Sequence, residues 1–411
     1  MTHQRLRLLA WAARHTYAAY LDSNGYLEDH YRRYELLVGV ADEAVQGNDD
    51  GFEQLRRLQG DWVMGYLSYD QKNHIEVLHS NNTDTLGLPD YTWWVPHTVI
   101  GLASGQLHVL KGDKAVLDDI LAHPIPKTYE PPRGINLQQR IARPDYLATV
   151  EAIREHIAAG DVYEMNFCQE FYAEGVSLDP VAAFVDMNRR SEAPFAAFVK
   201  AGDSYLMCSS PERYLQKQGR QLVSQPIKGT IARSTQELRD LELRRELAHS
   251  EKDRAENVMI VDLVRNDLAR TCKPGSVQVT ELFGTYGFKR VWQMISTITG
   301  ELRDDCDGID ALRASYPMGS MTGAPKVMAM QLIEHYEQSK RGLYSGTVGY
   351  MTPEGDYDFN VVIRSLLYRA DTLRLSFQVG GAIVYDSDPE REYEECLLKA
   401  QGMLQTLGTA I

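Results

Sequence analysis

Apolar residues fall on every second position at Leu373, Leu375, Phe377 and Val379, the period of an extended chain with one buried face, so a strand is predicted over 373–379. Denser apolar runs at 205–208, 291–299 and 344–351 predict further strands. So do the aromatic-rich stretches 62–69 and 91–95 in the first third, which lie between Asn, Asp and Gly turns. The period changes to that of a helix after Pro144-Asp145, where Leu147, Val150, Ile153 and Ile157 share one face and Gly160 offers the stop. From 236 to 270 good helix formers run without Gly or Pro until Lys273-Pro274-Gly275, which predicts one long helix. A last helix is predicted after Asp386, with Ser387 or Asp388 as its cap and Pro389 near its first turn.

Pro124, Pro126, Pro131 and Pro132, set among polar residues, can continue neither a helix nor a central strand. They predict a division into a β-rich N-terminal subdomain (1–122), a proline-rich linker (123–142) and a larger domain (143–411) that holds the chemistry.

Charge narrows the function classes. With 57 acidic against 43 basic residues the formal net charge is −14, which opposes phosphate backbones and anionic lipid, so neither nucleic acid nor a membrane is an expected partner. An acidic chain that binds an anionic metabolite needs local cations or a metal at its site. The five cysteines, Cys168, Cys208, Cys272, Cys306 and Cys396, are scattered and never form a C-x-x-C pair, which argues for a reducing cytoplasm and against a disulfide framework or zinc site. No apolar stretch reads as a signal peptide or a membrane span.

Several segments carry candidate chemistry. Asp253 and Glu256 stand three residues apart on one predicted helix, and Glu392 and Glu395 stand three apart on another with Lys399 four further on. If the helices face each other, their oxygens suit Mg²⁺, which keeps waters and borrows ligands from an anionic substrate. Taken alone, each pair is equally what a solvated helix face displays. Gly380-Gly381 interrupts an apolar strand, which permits close backbone approach to a ligand, or marks a bulge or tight turn. Lys228 lies between a prolyl turn and Gly229 in apolar surroundings; if desolvated, its amine loses charge more easily and becomes a nucleophile, whereas an exposed lysine stays protonated. Glu212, in Ser209-Ser210-Pro211-Glu212-Arg213, is a candidate proton donor if buried and otherwise part of an ordinary turn. Ser320-Met321-Thr322-Gly323-Ala324-Pro325-Lys326 lacks the spacing of a phosphate-binding loop.

Together these segments resemble the chorismate-utilising enzymes, the family of anthranilate synthase component I, aminodeoxychorismate synthase component I, and the isochorismate and salicylate synthases. The match runs from about Arg143 to Leu407. It passes through Gly160-Asp161-Val162-Tyr163-Glu164-Met165-Asn166, the Glu212 segment, Pro226-Ile227-Lys228-Gly229-Thr230, the stretch from Asp253 to Leu268, the Ser320 segment, and the glycine strand with its acidic helix. The resemblance implies an α+β fold of two packed β-sheets with helices outside and the active site between the sheets.

Within the family the residue between Pro-Ile and Gly-Thr is Ala in anthranilate synthases and Lys in the enzymes that aminate chorismate at C4. Lys228 therefore implies conversion of chorismate and ammonia to 4-amino-4-deoxychorismate, on the way to 4-aminobenzoate and folate. The ammonia would come from a separate glutamine amidotransferase subunit, since no Cys-containing nucleophile elbow is found in this sequence. The resemblance further implies Mg²⁺ held mainly by Glu256 and Glu395, with Asp253 and Glu392 nearby. Arg364 and Tyr350 would bind one substrate carboxylate, aided by the backbone of Gly380, Gly381 and Ala382, with Lys399 beside the substrate and Gly229, Thr230 and Ser320 lining its pocket. Lys228 would attack C2 of the ring while Glu212 protonates the departing C4 hydroxyl.

Three departures from the family pattern stand out. Gln293 occupies the position of a His in anthranilate synthases, Glu164 replaces the water-activating Lys of isochorismate synthases where amine-transferring relatives usually have Gln, and Ala382 stands where Gly is common. Anthranilate synthase component I and a non-catalytic chorismate-binding homologue are the alternative readings.

Overall fold

Among the described residues, strand pairing gathers the chain into two antiparallel sheets of 11 and 10 strands. The computed structural model describes residues 1–125, 129, 130 and 132–409; of the proline-rich segment predicted at 123–142, residues 126–128 and 131 lie outside the described residues. No described helix is long and apolar enough to cross a membrane.

In the first sheet the long strands Glu164–Ala173 and Arg374–Ile383 lie side by side near one edge, and Ser204–Ser210, Phe195–Ala201 and Tyr17–Asp22 continue towards the other. The second sheet begins at Ile227–Ala232 and runs through Val291–Glu301, Gln221–Gln225 and Arg213–Gln218 to Thr347–Met351 and Val63–Leu67. The first 122 residues are built into both sheets: Tyr17–Asp22 pairs with Phe195–Ala201, and Val63–Leu67 pairs with Thr347–Met351. Apolar side chains from the inner faces meet between the sheets, among them Ala19, Leu37 and Leu206 from one and Met64, Trp94 and Val348 from the other. Helices cover the outer faces. Pro389–Leu407 packs on Arg374–Ile383, and Glu251–Ala269 packs on Ile227–Ala232 and Val291–Glu301.

The predicted helix after Pro144 spans Arg143–Ala159 and ends at Gly160, whose φ of +86° is the left-handed conformation that made glycine the expected stop. The single helix expected over 236–270 is instead two, Glu237–His249 and Glu251–Ala269. Ser250 separates them because its hydroxyl accepts from the Asp253 amide, capping the second helix at the cost of continuing the first. The strand expected to end at Val379 runs on to Ile383. Gly380 and Gly381 stay in unbroken register with Cys168 and Phe167, so they form neither a bulge nor a turn.

Candidate active site

The chain crosses between the sheets twice beside the glycine strand. Ser204–Ser210 belongs to the first sheet and Arg213–Gln218 to the second, so Pro211 and Glu212 make one crossing. Residues 361–364 make the other, between Tyr357–Asn360 and Ser365–Arg369. The Val361 amide donates to the Glu212 carbonyl at 3.1 Å and ties the crossings together. Glu212 is 4% exposed. Burial pushes its carboxyl up to about 7, against the opposing pull of Ser320 and Lys228, which leaves it half protonated near neutrality. Ser320, in a short turn at Gly319–Met321, lines a small cavity with Glu212 and Pro226.

Lys228 lies on the edge strand of the second sheet and is 9% exposed. Its Nζ reaches Oε1 of Glu164, on the first sheet, at 2.5 Å. The register against Val291–Glu301 slips between Ile227 and Thr230, and Gly229 takes a φ of +96° there. A Cβ at Gly229 would stand 3.0 Å from the Asp253 Cβ. The Gly229→Ala substitution is therefore expected to destabilise the fold by about 1–2 kcal/mol from the left-handed backbone, with added crowding against the helix. A lowered urea midpoint together with lowered turnover would show that this turn sets the aim of Lys228. Thr230, one residue on, is exposed.

The sequence reading of Lys228 as an amine stripped of charge by apolar surroundings needs correction. Desolvation does pull its pKa down, but Glu164, Glu256 and Glu212 together raise it above the ordinary lysine value, and the resting side chain is an ammonium. Those carboxylates come from three distant parts of the chain, so the local sequence gave no sign of them.

Gly381 continues the alternation of Leu375, Phe377 and Val379 on the strand face that meets the C-terminal helix. Where its side chain would stand, Glu392 Oε2, Lys399 Nζ and Glu395 Oε1 lie 3.3, 3.5 and 3.9 Å away. Lys399 bonds Glu395 at 2.7 Å and donates to the Gly380 carbonyl at 2.9 Å, while Ser387 donates to Glu392 at 2.7 Å. Beyond residue 376 the strand has no partner among the described residues on the side of Ser365–Arg369, so one backbone edge of 377–383, including that of Ala382, is free of that ladder.

The four predicted metal-binding carboxylates divide between two helices. Burial pushes Glu256 up to about 7, with Glu164 and Asp253 adding to the rise against Lys228 and Lys252. Burial raises Glu392 as well, whereas Lys399 holds Glu395 below the ordinary value. Lys228 is felt by both Glu256 and Glu395, which places it between the two helices electrostatically. Among the described residues no three of these carboxylates bring oxygens within 4.8 Å of one another. They form two sets, one on each helix, and mutual repulsion opposes closer approach. That arrangement fits a hard cation taking one or two protein oxygens and completing its shell with water and substrate.

Arg364 stands in the second crossing with φ +53°, and its guanidinium makes no hydrogen bond or ion pair among the described residues. Burial pulls its pKa down, and Tyr344 and Glu395 are the groups that oppose the fall. A half-buried arginine left unpaired is a receptor for an anion. Tyr350, predicted beside it, is elsewhere: its ring packs 5.7 Å from Tyr34 and 6.2 Å from Trp62 in the layer between the sheets. Tyr344 is instead the tyrosine whose charge acts on Arg364. The strand begins at Thr347 rather than 344, and Ser345 turns the chain with φ +61°, so the alternation that would put both tyrosines on one face is broken. Gln293 is buried with its Oε1 unpartnered, and Lys326 bonds Asp267 at 2.6 Å and holds the structure rather than a ligand. None of the five cysteines is disulfide-bonded; burial pushes Cys208, Cys272 and Cys396 up to about 11 and Cys168 up to about 12, away from thiolate chemistry.

A family model for chorismate binding enzymes matches residues 16–405. The chain belongs to that family. It is 44% identical over 277 residues to an aminodeoxychorismate synthase of Streptomyces griseus, covering 67% of this chain and 38% of that protein. It is 36% identical over 359 residues to aminodeoxychorismate synthase component 1 of Salmonella typhimurium, covering 84% of this chain and 76% of that protein. The chain thus spans little more than a third of the Streptomyces relative but most of the Salmonella one. The crystal structure of anthranilate synthase component I from Streptococcus pneumoniae superposes with a TM-score of 0.77 at 26% identity, over 88% of this chain and 89% of that one. Two antiparallel sheets with outer helices are therefore the fold of chorismate binding enzymes, as the resemblance implied.

Proposed function

We propose that this chorismate binding enzyme is a synthase component that replaces the C4 hydroxyl of chorismate with an amino group, giving 4-amino-4-deoxychorismate. The observation that carries the reading is Lys228: a buried primary amine between the sheets, at the position where the family's anthranilate synthases carry Ala, with a half-protonated glutamate nearby. The names of the Streptomyces and Salmonella relatives support it.

The residues act in a simple order. Arg364, unpaired and half-buried, takes one carboxylate of chorismate, with Tyr344 and the open backbone edge of Gly380 to Ala382 beside it. Glu256 and Glu395, with Asp253 and Glu392 near, would hold Mg²⁺, whose charge would draw ring electrons towards the other carboxylate. Lys228 attacks C2 as Glu212 gives its proton to the departing C4 oxygen, since hydroxide leaves poorly without one. Ammonia then adds at C4 and the lysine leaves. A separate glutamine amidotransferase subunit, fitting the component 1 naming of the Salmonella relative, would deliver ammonia in a cytoplasmic setting.

Incubating the purified chain with chorismate, Mg²⁺ and ammonium, then separating products chromatographically, tests the reading. Aminodeoxychorismate formed only with all three supports it, whereas anthranilate would transfer the chain to the other amine-using branch. Arg364→Met is expected to raise the KM for chorismate about 10–100-fold, the loss of charged hydrogen bonds worth ~1.5–3 kcal/mol. An unchanged KM would remove Arg364 from substrate binding.

A further inference from the structure

Lys228 cannot act as a nucleophile while it is an ammonium, so a proton must leave it within a space that water barely reaches. Among the described residues, the charged groups that act on the amine are carboxylates from four elements: Glu164 from the first sheet, Glu212 from the crossing, Glu256 from the helix after Ser250, and Glu395 from the C-terminal helix. Glu212 needs its own proton for the leaving oxygen. Glu256 and Glu395 belong to the cation set. Glu164 remains, 1% exposed, with Oε1 at 2.5 Å from Nζ and Oε2 buried without any hydrogen-bond partner. A carboxylate with one oxygen on the donor and the other unsatisfied has room for a proton.

We propose that Glu164 is the proton acceptor that converts Lys228 from ammonium to free amine when substrate is in place, a role that rests on Lys228 being the nucleophile. The step balances. One N–H proton passes to Glu164 Oε1, the freed nitrogen lone pair forms the bond to C2, both ring double bonds shift, C1=C2 to C1=C6 and C5=C6 to C4=C5, and the C4–O bond breaks with the Glu212 proton to release water. When ammonia adds at C4, the ring electrons return and the C2–N bond breaks, so the amine departs neutral and reclaims its proton from Glu164. The new C4 ammonium returns one proton to Glu212, and both acids are restored. The pair joins strands from separate sheets, so it also holds the amine at the junction before substrate arrives.

Glu164→Gln keeps the size and a hydrogen-bond acceptor but accepts no proton. Two measurements on the full chain separate this role from scaffolding. First, reductive methylation of Lys228 in the substrate-free protein, followed by peptide mass spectrometry across pH, reads the amine directly. Its midpoint is expected to move to lower pH in Glu164→Gln, because an anion beside the ammonium has gone. Second, turnover of the variant is expected to fall roughly 10²-fold at pH 6.5, with the ratio of variant to parent rising about tenfold per pH unit as solvent base takes over. Glu164→Asp should recover part of the loss at pH 6.5. An unmoved labelling midpoint, or a turnover ratio constant with pH, overturns the proposal. If the midpoint moves while Lys228→Ala keeps full turnover, the pair is as described and the nucleophile reading is what has failed.

Discussion

Replacing Lys228 with alanine is expected to lower turnover by roughly 10³-fold or more and to abolish any covalent link between enzyme and substrate, leaving only slow direct attack of ammonia at C4. The amine is buried, held at 2.5 Å by Glu164, and enclosed by carboxylates on three elements, so no neighbouring lysine can replace it. Lys399, a lysine beside the glycine strand, is bound to Glu395 and the Gly380 carbonyl. Parallel loss of the fold would confuse the result. Circular dichroism and chorismate binding measured on the variant guard against that, and both should stay close to the parent, because removing an ammonium from among acids costs the substrate pocket little of its shape. Turnover equal to the parent's would show that the lysine is a spectator.

The second large effect is expected at Glu212. Glu212→Gln should lower turnover about 10²–10⁴-fold, the usual contribution of a positioned general acid. The pH dependence supplies the sign. Only the protonated carboxyl can serve, and burial sets it at about 7, so the parent's activity should decline above that pH while the variant loses this limb. Stability should fall with rising pH as well, and the substitution should affect it in the sense opposite to its effect on activity. The folded carboxyl is raised above the ordinary unfolded value of about 4.3, so as pH rises through the window from about 4.3 to about 7 the unfolded chain sheds its proton first and the fold loses stability relative to acid conditions. The glutamine variant escapes that penalty. Its melting temperature should match the parent's near pH 4 and exceed it at pH 8, even as activity collapses. A variant less stable than the parent at pH 8 would indicate that the carboxylate is a structural anion instead.

Much of the architecture was legible along the chain because its signals are local. The alternation through Leu375, Phe377 and Val379 needs only one buried face to be read, and the continuation of that face at Gly381 is the reason a cradle exists beneath Glu392, Lys399 and Glu395. Gly160 announced its helix end for the same kind of reason. The errors arose where side-chain competition or distant contacts decided. Ser250 capped one helix and so ended another. Tyr350 was placed beside Arg364 by the resemblance alone, whereas Tyr344, before the positive-φ turn at Ser345, is the tyrosine whose charge acts on Arg364. The protonation of Lys228 depended on acids 16, 28 and 64 residues away in sequence, at 212, 256 and 164, which no local pattern exposes. The four carboxylates likewise stand as two sets on separate helices rather than one cluster among the described residues, since only a cation can offset the repulsion of closer approach.

The central claim is that the Lys228 amine forms a bond to the substrate ring. Peptide mass spectrometry after quenching the enzyme with chorismate and Mg²⁺ in the absence of ammonia tests it most directly. The account predicts a peptide carrying Lys228 that gains the mass of chorismate less one water, absent from Lys228→Ala and diminished when ammonium is added before the quench. Robust formation of aminodeoxychorismate with Lys228 unmodified at every quench time would contradict it.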